Sequence, residues 1–167
     1  MATIWEKAKQ FETEGRILYE QLAKEAPGKE LAGAFTRLAL EEERHYRLFD
    51  SLEKSMPVES AASAAVIADV PKFFESLARE LRGNDTALKA VQGSGHAYRK
   101  ALTMEKRSVE FYTQVLSQVE DAFQKAAVSQ VISEEELHVK IFEGFLEFVR
   151  EPRSWTEDAE FAKGKID

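Results

Sequence analysis

Residues 41–49 read EEERHYRLF, and residues 134–142 read EEELHVKIF. In each, a carboxylate stands three and another four positions before a histidine, and either spacing puts the two side chains on one face of a helix. Carboxylate oxygens and imidazole nitrogens together suit iron, manganese or zinc. The chain has no cysteine. That excludes a disulfide framework, a zinc knuckle, an iron–sulfur cluster and thiol catalysis, so any metal must be held by histidine and carboxylate.

Both segments belong to a longer repeat. Laid over residues 101–142 without a gap, residues 8–49 match at Ala8/Ala101, Glu12/Glu105, Tyr19/Tyr112, Gln21/Gln114, His45/His138 and Phe49/Phe142, and at the three glutamates that open each segment. Two of the three histidines in the chain are in this set. The third, His96, lies off the face of Glu105 and away from it in height, and it reads as a structural or surface residue.

The elements that must position these residues are helices. The chain of 167 residues is long enough for one domain with a real core. At 32% charged and 44% hydrophobic, with helix formers dominant and no β-branched runs, it reads as a soluble helical protein. Steps of three and four connect Trp5, Ala8, Glu12, Gly15, Tyr19 and Leu22, and again Leu31, Phe35, Leu38, Glu42, His45, Phe49 and Leu52. The APGKE turn at 26–30 joins these two helices into a hairpin. A second hairpin carries Tyr98, Ala101, Glu105, Ser108, Tyr112 and Val115, turns near Glu120, and returns through Val128, Val131, Glu135, His138, Phe142, Phe145 and Val149.

Residues 56–84, with an Ala/Ser-rich stretch, are too long for a simple turn. PKFFESLARELR at 71–82 is predicted to form a short helix there, and TALKAVQGSG to begin the third long helix. The expected architecture is all-α: a four-helix bundle over residues 1–150, made of two hairpins and a long crossover. Residues 151–167 form a tail in which Trp155 and Phe161 suit a short docking segment. Phe73, Phe74 and Trp155 read as packing residues, inside the fold or at a dimer interface.

Glu12, Glu42, His45, Glu105, Glu135 and His138 interrupt these otherwise apolar stripes. A buried carboxylate without compensation costs several kcal/mol, and four together would cost a bundle its stability. Runs such as EEE more often form solvated faces, but the positions argue otherwise. Glu12 and Glu42 are equally far from Pro27, each about 22 Å along its helix, and Glu105 and Glu135 are equally far from Glu120. Packed with twofold pseudosymmetry, the hairpins bring four carboxylates and two imidazoles to one depth, a set suited to two iron or manganese ions. Periodicity leaves Glu41 open beside Glu42 as the partner of His45. Glu14 competes with Glu12, although its counterpart in the repeat is Arg107.

With ETEGRILY at 12–19, EKRSVEFY at 105–112 and the two EExH segments at 42–45 and 135–138, the sequence resembles the rubrerythrin branch of the ferritin-like family. The resemblance spans residues 3–150. It implies a ferritin-like bundle in which Glu12 and Glu105 are terminal ligands, Glu42 and Glu135 bridge, and His45 and His138 each cap one of two irons, for which manganese or zinc can substitute. Tyr19 and Tyr112 would lie near the metals. Peroxidase-type rubrerythrins have a second glutamate three residues after the third-helix ligand, which takes part in a redox-linked ligand change; here that position is Ser108. They also carry a four-cysteine rubredoxin module, for which this chain has no ligands.

The function expected from these readings is that of a di-iron oxidoreductase reducing hydrogen peroxide or dioxygen, fed by a separate electron-donor protein. A ferroxidase or iron-handling protein, and a non-enzymatic metal-binding module, are the alternatives. The net charge of −7 and the lack of a basic cluster argue against nucleic acid. Charges throughout MATIWEKAKQFETEGR, and no apolar run long enough to span a bilayer, lead to the expectation of a cytoplasmic protein without a membrane segment. The resemblance implies a homodimer, and the long crossover makes an exchange of helices feasible.

Overall fold

The computed structural model describes residues 2–55 and 70–151. The Ala/Ser-rich stretch and the proposed docking tail with Trp155 and Phe161 fall outside them. Six helices are present and no strand among the described residues: α1 (Ile4–Glu25), α2 (Lys29–Glu53), α3 (Val70–Leu81), α4 (Asp85–Gly93), α5 (Gly95–Gln118) and α6 (Ala122–Arg150). No described helix is long and apolar enough to cross a membrane.

Local chemistry explains most boundaries. Thr3 and Glu6 form a capping box at the start of α1, Thr3 Oγ1 accepting from Glu6 N at 3.0 Å and Thr3 N donating to Glu6 Oε2 at 2.8 Å. Asn84 caps α4 and Asp121 caps α6. Gly28, at the N-cap of α2, has no side chain to offer. Glu80 of α3 replaces it, accepting from Lys29 N at 2.9 Å and Glu30 N at 3.2 Å, and so pins the crossover helix to the first hairpin turn.

One boundary differs from the sequence reading. TALKAVQGSG does not begin the third long helix; most of it forms the separate α4, and the chain turns at Ser94 (φ −83°, ψ 1°) before α5 starts. Ser94 is flanked by Gly93 and Gly95, and this run has the weakest helix propensity in the segment. The four long helices of the bundle are therefore α1, α2, α5 and α6, paired as two hairpins, with α3 and α4 packed against them.

The apolar interior is in two parts. One cluster gathers Tyr19, Leu22, Leu31, Phe35, Leu38, Tyr98, Phe142 and Phe145 with residues of α3 and α4. The other gathers Ala8, Phe49, Leu52, Tyr112, Val115, Val128 and Val131. On each long helix the polar residues singled out above lie between a member of one cluster and a member of the other.

Phe74 of α3 is 2% exposed and meets Phe145 of α6 edge to face at 5.2 Å, so it is a core residue of this chain. Phe73 packs against the same cluster. The Phe74 ring sits over Gly144, where an added Cβ would come within 2.6 Å of Cε2. Gly144→Ala is expected to displace the ring and cost about 1–3 kcal/mol, read by urea unfolding, with metal content unchanged. Parent-like stability in that variant would contradict the close packing of α3.

Candidate metal centre

Glu12 from α1, Glu42 and His45 from α2, Glu105 from α5, and Glu135 and His138 from α6 converge midway along the bundle. None is more than 3% exposed. The periodicity that sets them in line with the core residues turns them inward with the core. Glu14 points outward and takes a hydrogen bond from Gln10 at 3.0 Å. His96 is exposed, as its spacing implied.

The donors form two overlapping groups, one of Glu12, Glu42, His45 and Glu135, the other of Glu42, Glu105, Glu135 and His138. Within each, one ligand atom from every residue lies within 4.8 Å of the others. Glu42 and Glu135 are common to both. Glu135 shows this directly: Oε1 is 2.9 Å from His45 Nδ1, and Oε2 is 3.3 Å from His138 Nδ1. Glu41 does not join either group; it belongs to a third set of possible donors, further out, with His45 and Glu134.

These contacts are close but are not hydrogen bonds. Glu12 Oε2, Glu42 Oε1, Glu105 Oε1, both oxygens of Glu135 and Nδ1 of both histidines are buried without a hydrogen-bond partner. Each such atom costs about 1–3 kcal/mol if nothing satisfies it. Every one of the six residues contributes at least one of them. Donor atoms that converge on a common centre instead of pairing off in hydrogen bonds are what metal ligands require, and the residues fit that purpose.

Electrostatics carries the same message. Burial pushes the carboxyls of Glu12, Glu42 and Glu105 above the ordinary carboxylate range, and the charge on Glu135 adds to it. Burial would raise Glu135 as well, but the adjacent His138 and His45 rings hold it well below its usual value. Burial opposes charge on the imidazoles, yet Glu12 beside His45 and Glu105 beside His138 outweigh it and hold both rings well above theirs. Without cations, this cluster keeps protons that metal ions would displace.

Neighbouring residues shape the centre. An added Cβ at Gly15 would overlap Glu42 Oε2 and lie 3.1 Å from its Cδ, so the glycine leaves room for that carboxylate. Tyr112 donates its hydroxyl hydrogen bond to Glu12 Oε1, and burial followed by the charges of Glu12 and Glu135 pushes its phenol well above the ordinary value. Tyr19 is equally buried, but its hydroxyl has no partner. Ser108 is 6% exposed, one turn after Glu105.

Arg44, absent from the sequence reading, stands at the outer edge of the site. It bonds to Glu41 Oε2 at 2.5 Å and to Glu134, whose Oε2 is 2.6 Å from His45 Nε2. No sequence signal marked it, because its counterpart in the repeat is Leu137.

An all-α bundle with carboxylates and two Glu-x-x-His pairs turned into its core is a ferritin-like protein whose buried site fits a di-iron centre. Comparison with known families agrees: the Rubrerythrin family model matches residues 4–146, and the chain belongs to the rubrerythrin family. No curated protein and no solved structure matched the chain.

Proposed function

We propose that this protein binds two iron ions between the hairpins and uses them to reduce hydrogen peroxide or dioxygen. The observation that carries the reading is the pair of overlapping donor groups that share Glu42 and Glu135. In it, Glu12 and His45 serve one ion, Glu105 and His138 the other, and Glu42 and Glu135 span both. Two ferrous ions against four carboxylates leave the core neutral, and together they would supply the two electrons that reduce peroxide to water.

The residues of this chain define the surroundings of that chemistry. Two apolar clusters close the site above and below, keeping bulk water from the ligands. Tyr112 restrains Glu12. Ser108 stands where a shifting glutamate ligand would be in peroxidase-type relatives, so the ligand set is proposed to stay fixed through the redox cycle. Electrons would come from a separate donor protein, and the working form is proposed to be a homodimer in the cytoplasm.

The test is to mix anaerobic diferrous protein with limiting peroxide, and separately with dioxygen, and to follow the near-ultraviolet absorbance of the ferric product. Faster oxidation by peroxide supports a peroxidase, and faster oxidation by dioxygen an oxidase. Repeated turnover of added ferrous iron with ferric release would instead make iron the substrate, as in a ferroxidase. A protein that takes up no iron in iron-replete medium would refute the proposal.

A further inference from the structure

The two halves of the centre are related by the repeat, yet the structure does not treat them alike. Behind His45, on the side away from the ligand cluster, Glu134 Oε2 lies 2.6 Å from Nε2. Glu134 is itself held, its Oε1 accepting from Gln130 Nε2 at 3.1 Å and its Oε2 from Arg44. Arg44 is also anchored by Glu41, through Nε and the same Nη2, and that Nη2 lies 3.2 Å from His45 Nε2. This arrangement turns Nε2 of the His45 ring outward to Glu134 and Nδ1 toward the cluster, where Nδ1 is buried without a hydrogen-bond partner.

His138 has no such support among the described residues. The repeat would put Glu41 behind it, as Glu134 stands behind His45, but Glu41 is engaged by Arg44. The counterpart of Arg44 is Leu137, which packs against the apolar cluster and has no charge to hold a carboxylate in place. A second, independent difference has the same direction. Tyr112 bonds to Glu12, whereas Tyr19, its counterpart, leaves its hydroxyl unpartnered.

We infer that the two metal positions are unequal, and that the position served by His45 and Glu12 fills first and holds its ion more tightly because Arg44 and Glu134 clasp the His45 ring from behind. The inference rests on the di-metal reading above. A carboxylate that fixes the tautomer and orientation of a ligating histidine typically contributes about 10–100-fold in metal affinity, the separation expected between the two positions. Arg44 and Glu134 are positioning residues: neither reaches the metals, and both act through His45.

The test uses metal-free protein titrated with Co(II), followed by visible absorbance and calorimetry. The parent should bind two ions in two resolved steps. Arg44→Leu, which makes the first half resemble the second, should weaken the first step by about 10–100-fold so that the steps merge, while the total stays at two. Glu134→Ala should do the same, and circular dichroism should show parent-like helix content in both. His138→Gln should retain the tight step, whereas His45→Gln should lose it. With one equivalent of cobalt, the parent should also show one hyperfine-shifted imidazole N–H protected from exchange, and Glu134→Ala should lose that protection. Equal affinities in the parent, a tight step that survives both clasp substitutions, or a tight step lost in His138→Gln would overturn the inference while leaving a two-metal centre in place. Uptake of fewer than two ions by the parent would overturn the di-metal reading itself.

Discussion

Replacing Glu42 and Glu135 together by alanine is expected to lower the metal content from about two ions per chain to about none, measured by elemental analysis after desalting. The two residues differ from the other four in belonging to both donor groups. Losing Glu12 removes a donor from one position only, and so does losing Glu105. Losing Glu42 and Glu135 leaves each position with one carboxylate and one imidazole, and removes the groups that would hold both ions at once. The variant should still fold, because each substitution deletes a buried carboxylate whose desolvation opposes folding, offsetting part of the cavity it creates. Retention of two ions by this variant would refute the assignment of Glu42 and Glu135.

Metal-free protein is expected to lose stability as pH rises from about 5 to about 8, while iron-loaded protein is not. The sign follows from the shifts. Unfolded glutamate and histidine titrate near about 4.3 and about 6.5. Glu12, Glu42, Glu105, His45 and His138 are all raised above these values in the folded chain. The folded state therefore binds their protons more readily, and that contribution is fully present below the unfolded values and lost as pH climbs through the folded ones. Glu135 is shifted the other way; its contribution is present above about 4.3 and is lost only in stronger acid, so it does not change the sign within this window. Metal binding inverts the trend, since ions compete with these same protons and bind better as pH rises. Calorimetry with and without a chelator should show the gap in melting temperature widening with pH, at about 2–4 °C per kcal/mol for a chain of this size. A metal-free form that grows more stable across the window would contradict the electrostatic account of the cluster.

The six converging residues were legible because a repeat exposes itself to inspection: Glu12 and Glu105, Glu42 and Glu135, His45 and His138 each occur twice at matched heights. The hairpin turns were legible from Pro27 and Gly28 and from the midpoint at Glu120. Where the pairs diverge, the sequence was mute. Arg44 faces Leu137 across the repeat, so a search for echoes passes over it, and Glu134 looks like a spare member of an acidic run until the distance to His45 Nε2 is known. Tyr19 and Tyr112 occupy the same position in the repeat but differ in hydrogen bonding, a distinction that the repeat itself does not carry. The cap on α2 comes from Glu80, far along the chain, and no local pattern reports a partner at that range. The break at Ser94 lies inside a stretch whose composition still suits a helix, and only the flanking glycines hinted at it.

The division of the interior into two apolar clusters has a consequence for how the protein is inspected in a cell. Hydrophobic burial ties each cluster together internally, but across the middle of the bundle its place is taken by acids and imidazoles. Ions seated there would rivet the upper and lower parts into a single cooperative body. Without them the middle of the bundle is expected to open locally before either end melts. A protease that samples such openings would cut the empty protein and spare the loaded one, so that the cofactor state of each molecule is encoded in its lifetime.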